Sequence, residues 1–303
     1  MHTSLTEEIF SHPLTYERLD TYTRRLAEAY PFLRVSTLAY SLCGKRIPYL
    51  MVGEGHRTIL YVGAHHSMEW LTSCVLLAFC NELCRELSAP EPNQSNLRGR
   101  FRFVIIPELN PDGVELVLRG VQEGHVLAGR QIRMNRESPD FSHWQANARG
   151  VDLNHNYSVG FYEYQKIQAK LGITSGAPSL YAGEYPESEP EVAALAGLVR
   201  LLRPAMILTL HTQGEEIYFD SPHATPSMHK MAEAFAHHTG YCLETATGTA
   251  AYGGLTEWAV RCGIPCFTFE CGKGKNPLPQ KDGPTIYETV RSALFAAPEL
   301  SLL

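Results

Sequence analysis

No stretch of the 303-residue sequence approaches the roughly 18 consecutive apolar residues that a membrane-spanning helix needs. Basic residues are outnumbered, with 26 lysines and arginines against 32 aspartates and glutamates and a net charge of −6. An acidic chain is poorly suited to nucleic acid or to an anionic membrane surface. The sequence therefore predicts neither a nucleic-acid partner nor a membrane partner.

The beginning of the sequence, "MHTSLTEEIFSHPLTYERLD", lacks the basic stretch and the continuous apolar segment of a secretory signal. This predicts a cytoplasmic protein whose eight cysteines are reduced thiols. Several of them fall into an apolar stripe with helical intervals of three and four, which predicts a buried helix face: Trp70, Cys74, Leu77, Cys80, Cys84 and Leu87. A zinc cluster is the alternative for Cys262, Cys266 and Cys271, although their spacing lacks a CxxC pair.

Strand-like and helix-like segments alternate along nearly the whole chain, with no internal repeat, low-complexity tract or linker. This pattern predicts one α/β domain over residues 1–303, built on a mixed or mainly parallel sheet. Residues 1–40 form its lead-in helix and first strand. Residues 121–157 are rich in Gly, Asn and Arg with weak periodicity, and so long an irregular segment predicts a functional role.

Two adjacent histidines and a glutamate stand in "GAHHSMEW", residues 63–70, directly after the strand-like run "TILYV". Glu69 is three residues from His66 and four from His65, so both spacings suit one side of a helical turn. In open α/β sheets, ligands bind beyond the carboxyl ends of the strands. The placement predicts a metal site, while the spacing leaves the choice between the two histidines open.

Two more candidates end other strand-like runs: His211 in "MILTLHTQG" and Glu270 in "CFTFECG". A catalytic zinc typically takes three protein ligands and keeps one position for water, so His211 is the candidate third ligand. A carboxylate in an apolar strand is costly to bury unless it is paired or near a metal. Glu270 is therefore the candidate general base, and a salt-bridged edge glutamate is the alternative.

Taken in order, "HHSMEW", "GVDLNHNY", the strand-terminal histidine and the glutamate of "FTFE" resemble the zinc carboxypeptidases of the carboxypeptidase A type. The resemblance runs from about Ser41 to the end of the chain. It is strongest with a bacterial branch, the γ-D-glutamyl-meso-diaminopimelate peptidases, whose segments are similar to "NPDGVELVLRG", "FSHWQANARGVDLN", "YPESEPEVAAL" and "FTFECGKGKNPLP". The family's fold implies a single α/β domain with a mixed sheet of about eight strands.

The resemblance also implies the roles of individual residues. It assigns one zinc ion to His66, Glu69 and His211, which leaves His65 out of the ligand set. Glu270 matches the general base that deprotonates the zinc-activated water and then protonates the leaving amine. Asp152 of "GVDLN" matches a carboxylate that orients the first zinc histidine.

The resemblance also assigns residues that contact the substrate, but here the sequence departs from the family pattern. The arginine that stabilises the oxyanion matches Arg149 or Arg136, with Arg149 preferred. In the family's carboxylate clamp an asparagine is followed by an arginine. Here the asparagine is Asn154 and the next residue is His155, which as a neutral ring offers one donor in place of a bidentate fork.

Two residues near "YGGLTEW" complete the expected substrate site. Tyr252 is the candidate substitute for the family's mobile tyrosine, whose own place is taken by Thr249. Glu257 falls where the family often has an acidic residue at the floor of the pocket, and it is expected to face a substrate amine.

The function that the resemblance implies is zinc-dependent hydrolysis of the γ-D-glutamyl–meso-diaminopimelate amide bond in a muropeptide or other small peptide. The alternative is a zinc carboxypeptidase or small-amide deacylase that acts on another substrate. A zinc-binding module without activity is a third hypothesis. The presence of Glu270 beside all three ligands argues against it, because a binding module needs no base.

Overall fold

The computed structural model describes residues 4–89, 97–219 and 223–303. Eight strands lie within these ranges: Arg34–Tyr40 (β1), Arg46–Val52 (β2), Arg57–Gly63 (β3), Phe101–Ile106 (β4), Met206–His211 (β5), Glu216–Tyr218 (β6), Cys242–Glu244 (β7) and Cys266–Glu270 (β8). They form one sheet in the order β1-β2-β4-β3-β5-β8-β6-β7.

The middle of the sheet is parallel, with β3 paired to β4 and to β5, and β5 paired to β8. The short strands β6 and β7 are also parallel to each other. The pairs β1–β2, β2–β4 and β6–β8 are antiparallel. A mixed sheet of eight strands in one α/β domain confirms the fold that the sequence predicted.

Helices flank the sheet along the described part of the chain: Leu5–Ser11 (α1), Tyr16–Ala29 (α2), Leu71–Ser88 (α3), Pro111–Arg119 (α4), Ala128–Met134 (α5), Phe161–Lys170 (α6), Pro190–Leu202 (α7), Pro226–Thr239 (α8), Leu255–Arg261 (α9) and Gly283–Leu300 (α10). Two helices therefore precede β1, where the sequence predicted a single lead-in helix within residues 1–40. None of the described helices combines the length and the apolar character needed to cross a membrane.

The central strands are buried on both faces, as parallel strands covered by helices are expected to be. Ile59 to Val62 of β3 have no exposed surface. On one face of β8, Phe267 and Phe269 pack against Phe235 of α8, with ring centroids 5.0 and 5.4 Å away. The opposite face of β8 carries Thr268 and Glu270, so the period of two expected from the sequence holds in this strand.

Five of the six residues of the apolar stripe predicted around Cys74 lie on α3, Trp70 immediately precedes it, and all six are buried. The helix begins at Leu71, a little later than the spacing predicted, because residues 67–69 form a separate 3₁₀ turn. β6 and β7 were not predicted, since three residues are too few to show a period of two. Residues 121–157 are mostly irregular, as expected, and contain only the short α5 and a 3₁₀ turn at 153–155.

The topology brings three strand ends to one edge of the sheet. β3, β5 and β8 are consecutive parallel neighbours, so their carboxyl ends meet. β3 leads into the histidine pair, β5 ends at His211 and β8 ends at Glu270. This is the edge at which open α/β sheets bind ligands.

Candidate metal centre and active site

The loop after β3 is held in a fixed shape that projects His65 and His66 from the edge of the sheet. Ala64 has a left-handed backbone with φ of 48°, a conformation that is uncommon outside glycine and needs support from its surroundings. Its N–H donates to Thr72 Oγ1 at 2.9 Å. Its carbonyl accepts from the N–H of Asn110, whose side-chain amide also donates to the carbonyl of His65.

His66, Glu69 and His211 converge on one point. Nδ1 of His66 lies 3.0 Å from Oε1 of Glu69, and Nδ1 of His211 lies 2.9 Å from Oε2. The two Nδ1 atoms are only 3.2 Å apart. Among the described residues, this is the one group of three or more His, Cys, Asp or Glu side chains whose ligand atoms lie within 4.8 Å of one another. No cysteine belongs to it, so the cysteine cluster is not formed.

The donor set fits zinc. Two imidazole nitrogens and one carboxylate oxygen are typical of a catalytic zinc that keeps a position open for substrate or water. Two ring nitrogens at 3.2 Å gain little from each other directly, because at most one can donate to the other's lone pair. A cation bound by both nitrogens would explain why the two rings point to the same place.

Charge within the cluster keeps Glu69 in its ligand form and draws a positive charge towards it. Burial alone would raise the pKa of Glu69, but His66 and His211 lower it to about 2, so the carboxylate stays ionised. Burial opposes a positive charge on His66, while Glu69 and Asp152 raise the pKa of its ring well above the usual value. The negative carboxylate therefore favours a positive charge at this point, which a proton on His66 or a bound cation would supply.

His65 is excluded from the cluster by its contacts. It is fully buried, and Nε2 lies 2.9 Å from the Tyr157 hydroxyl while Nδ1 lies 3.4 Å from Oγ1 of Thr209. Its ring stacks against His211 with centroids 5.4 Å apart. Burial and the neighbouring His211 lower the pKa of His65 well below its usual value. The neutral ring supports His211 from behind, and its nitrogens point away from the cluster that His66 joins.

Asp152 lies behind His66, as the resemblance implied. Its Oδ1 is 3.2 Å from Nε2 of His66, a distance typical of an ion pair although the two groups are not aligned as a hydrogen bond. Its Oδ2 accepts hydrogen bonds from Gln145 Nε2 at 2.8 Å and from the Leu180 N–H at 3.1 Å. Burial opposes the charge, but His155 and His66 hold the pKa of Asp152 well below its usual range. A carboxylate so placed fixes the orientation of a metal-binding imidazole.

Asn276 supports the cluster from the other side and was not predicted. Its side-chain amide donates to the carbonyl of Thr212 at 2.6 Å, and its Oδ1 accepts from the Thr212 hydroxyl at 2.7 Å. Its amide nitrogen also lies 3.5 Å from Oε1 of Glu69. Nothing in "GKGKNPLP" distinguishes this asparagine from an ordinary turn residue, because its partner comes from a distant part of the chain.

A cavity of about 690 Å³ opens beside the metal cluster, and His66 and Glu270 are part of its wall. Glu270 is the last residue of β8 and the register partner of His211. Removal from bulk water and the charge of Glu69 raise the pKa of Glu270 well above its usual value. A carboxylate with a raised affinity for protons, open to a cavity beside a metal centre, has the properties of a general base.

The four residues predicted on the substrate side, Asn154, His155, Tyr252 and Glu257, also line this cavity. Asn154 accepts from the N–H of Leu255 at 3.1 Å. His155 stacks on Tyr164 with centroids 3.8 Å apart, and its Nδ1 lies 2.9 Å from the carbonyl of Tyr252. The side chain of Tyr252 is partly exposed.

Neither of the two arginines predicted for the oxyanion is brought to this cavity. The guanidinium of Arg149 binds Glu189 at 2.8 Å, and the pair lines a separate small cavity together with Arg130. Arg136 is exposed on the turn that follows α5. The residue of the "WQANARG" segment that does line the main cavity is Gln145. The sequence marked residues 121–157 as functional, but no periodicity or charge singled out this glutamine.

The His–Glu–His cluster and the neighbouring carboxylate, at the carboxyl ends of parallel strands, have the residue types of a metallopeptidase site. The chain belongs to the zinc carboxypeptidase family, whose model matches residues 19–292. It is 33% identical to gamma-D-glutamyl-L-diamino acid endopeptidase 1 of Lysinibacillus sphaericus over 291 residues, 93% of this chain and 71% of that protein.

Two solved structures illustrate the shared fold. Carboxypeptidase A from Helicoverpa armigera superimposes with a TM-score of 0.74 at 19% identity, covering 96% of this chain and 74% of that one. The murein-tripeptide amidase from Escherichia coli O157 gives a TM-score of 0.53 at 19% identity, covering 88% of this chain and 91% of that one. At such identities the likeness concerns the fold alone.

Proposed function

We propose that this metallopeptidase hydrolyses the γ-D-glutamyl–meso-diaminopimelate amide bond of peptidoglycan-derived peptides. The observation that carries the proposal is the charge of the cavity wall. Two carboxylates, Glu257 and Glu270, line it, and no lysine or arginine does so within the described ranges of the chain. Such a wall favours a substrate whose leaving group carries an ammonium group, and diaminopimelate has a second amine at the far end of its chain.

Glu257 is the residue that we propose as the partner of that amine. Its Oε2 accepts from the Gly253 N–H at 3.3 Å, which fixes the carboxylate on the wall. Burial raises the pKa of Glu257, so it gains from a positively charged partner that would restore its ionised form. The 33% identical relative is named for a diamino acid, which supports the same substrate class.

His155 supports this substrate class and weakens the case for a simple carboxylate clamp. Burial lowers the pKa of His155, so the ring is neutral at pH 7. The carbonyl of Tyr252 can only accept, and therefore Nδ1 of His155 holds the single proton. Nε2 is then an acceptor, which suits an N–H group of the substrate better than a carboxylate.

The chain's own residues account for the proton transfers of amide hydrolysis. Glu270 takes a proton from the attacking water and returns it to the leaving nitrogen as the C–N bond breaks. Asp152 keeps the ring of His66 in place during the reaction. One zinc ion per chain, held by His66, Glu69 and His211, would supply the Lewis acidity of the site.

The test is hydrolysis of L-Ala-γ-D-Glu-meso-diaminopimelate by purified, zinc-loaded protein, with released diaminopimelate as the measurement. A matched peptide carries 2-aminopimelate, which keeps both carboxylates and lacks the second amine. We expect kcat/KM to be about 10- to 100-fold lower for the matched peptide, the value of one charged hydrogen bond.

The variant Glu257→Gln should remove most of this preference, and Glu244→Gln, at an exposed position on β7, should leave it intact. Equal cleavage of both peptides by the wild type would contradict the assignment of the diamino acid. Hydrolysis of other acyl amino acids with no cleavage of the tripeptide would favour a carboxypeptidase or deacylase of different specificity.

A further inference from the structure

Gln145 is fixed to the loop that carries the metal ligands. Its carbonyl accepts from the N–H of Ser67, the residue after His66, at 3.1 Å. Its own N–H donates to the carbonyl of Pro178 at 2.9 Å. The preceding Trp144 is buried. The position of the side chain relative to His66 is therefore set by backbone contacts on both sides.

The orientation of the Gln145 amide follows from its partner. The carboxylate of Asp152 only accepts hydrogen bonds, so the group 2.8 Å from its Oδ2 must be the NH₂ and not the carbonyl. The other oxygen of Asp152 lies 3.2 Å from Nε2 of His66. Gln145 is thus two contacts away from a metal ligand, and an NH₂ group has a second hydrogen that Asp152 does not use.

Gln145 forms part of the cavity wall together with His66 and Glu270, and Asp152 accounts for one of the two hydrogens of its amide. Hydrolysis of an amide places negative charge on the carbonyl oxygen in the transition state, and a donor aimed at that oxygen accelerates the reaction. The attacking water and the carbonyl must both lie between Glu270 and the metal ligands. Gln145 lines the same space.

Three other polar groups that were candidates for the substrate side already have partners. Asn154 Oδ1 holds the N–H of Leu255 at the start of α9. Nδ1–H of His155 is used by the carbonyl of Tyr252. Arg149, which the family pattern suggested, is held by Glu189 in a different cavity.

We propose that Gln145 is a catalytic residue that donates its second N–H to the carbonyl oxygen of the scissile amide. When the water oxygen bonds to the carbonyl carbon and Glu270 takes its proton, the C=O electron pair moves onto the oxygen that Gln145 contacts. The pair returns as the C–N bond breaks, and the proton on Glu270 passes to the leaving nitrogen. This role rests on the proposed hydrolytic function but not on the diaminopimelate specificity.

The decisive variants are Gln145→Ala and Gln145→Arg, with Gln280→Ala as a matched control. Gln280 is also a partly buried glutamine with one amide hydrogen bond, to the carbonyl of Phe10, and it is not part of the cavity wall. We expect Gln145→Ala to lower kcat by about 10²-fold with little change in KM, as the loss of one oxyanion donor does. Gln145→Arg keeps a donor and should retain at least a tenth of the wild-type kcat.

Two readouts do not depend on turnover. The first is the zinc dissociation constant, which should change less than threefold in Gln145→Ala. The second is binding of phenylphosphonate to the zinc-loaded protein, because its tetrahedral oxyanion imitates the charge without requiring the correct peptide. Gln145→Ala should weaken this binding about 10-fold, and Gln280→Ala should not.

Unchanged phenylphosphonate binding in Gln145→Ala would overturn the assignment. So would a kcat that recovers at saturating zinc, since Gln145 would then act only by positioning Asp152. If the wild type does not cleave the tripeptide but phenylphosphonate binding still depends on Gln145, the proposed substrate is wrong and the role of Gln145 stands.

Discussion

His211 and Glu270 are direct register partners on the adjacent parallel strands β5 and β8. One is a member of the metal cluster and the other is the candidate base, so the sheet itself fixes their separation. Neighbouring strands lie about 4.8 Å apart, which leaves room for a metal ion and a water molecule at the strand ends. The pair is rigid because both strands are buried among apolar neighbours on either side.

Replacement of Glu270 by glutamine should separate metal binding from catalysis. The amide keeps the size of the carboxylate but cannot accept and return a proton. We expect Glu270→Gln to hold one zinc ion per chain and to lose about 10³- to 10⁴-fold in kcat. Metal analysis and peptide hydrolysis measure the two effects.

The control for this variant is Glu216→Gln, which changes the glutamate opposite Glu270 on β6. It should stay within tenfold of the wild type, since Glu216 does not line the main cavity. Full activity of Glu270→Gln would remove the general base from the mechanism.

Asp152→Asn should weaken zinc binding. The asparagine preserves the volume of the buried side chain but no longer attracts the ring of His66, whose Nε2 is 3.2 Å away. Loss of such a partner typically costs 10- to 100-fold in metal affinity or activity. Competition with a chelator measures the zinc dissociation constant, and Asp140→Asn at an exposed turn is the control. Equal affinities for zinc would show that Asp152 does not orient the ligand.

Removal of the metal should destabilise the fold. Glu69 and His211 are nearly fully buried, and zinc can bind their assembled cluster only in the folded chain. Free zinc at 100 times its dissociation constant should add about 2.7 kcal/mol to the free energy of unfolding, or raise Tm by roughly 5 °C. Calorimetry of the chelator-treated protein with and without added zinc tests this. A Tm independent of zinc would argue against a site formed by folding.

The free energy of unfolding should fall as the pH rises from 5 to 8 because of Glu108, a buried carboxyl to which no functional role is assigned. Glu108 has no exposed surface, and burial raises its pKa to about 8 from an ordinary value of 4.5. The folded chain therefore holds a proton that the unfolded chain has released. Its contribution is complete below pH 4.5 and is lost by about 1.4 kcal/mol per pH unit until the folded pKa is passed.

Glu108→Gln should make the decline between pH 5 and 8 shallower by about that amount per pH unit. Some decline should remain, because Glu191 is also buried with a pKa raised to about 8. Chemical denaturation at several pH values measures the slope, with the exposed Glu28→Gln as the control. Identical slopes for the wild type and Glu108→Gln would mean that Glu108 is ionised in the folded protein.

The sequence specified the positions of the central site residues because each follows a readable strand. A buried parallel strand appears as an apolar run, and the first polar residues after it mark the edge where ligands bind. His66, Glu69, His211 and Glu270 all obey this rule. Their distribution over three strands that are far apart in the chain is what makes the pattern informative.

The choice between His65 and His66 needed the tertiary structure, or the family resemblance, since both have helical spacing to Glu69. What separates them is the direction in which each ring points. The ring of His65 points to Tyr157 and Thr209, and the ring of His66 points to Glu69 and His211. That direction is set by the turn at Ala64, whose left-handed backbone no sequence pattern revealed.

The direction of a side chain also decided the prediction of the oxyanion donor, and here the sequence was misleading. An arginine in the right segment was the natural prediction, but the long side chain of Arg149 reaches Glu189, at the start of α7. The guanidinium of Arg149 pairs with the carboxylate of Glu189, which lies 40 residues further along the chain. The sequence by itself determined the α/β class and the strand-end residues, because apolar runs mark the buried strands, and its motifs indicated the family by resemblance. Only the tertiary structure decided which side chains face the cavity, since that depends on contacts between segments far apart in sequence.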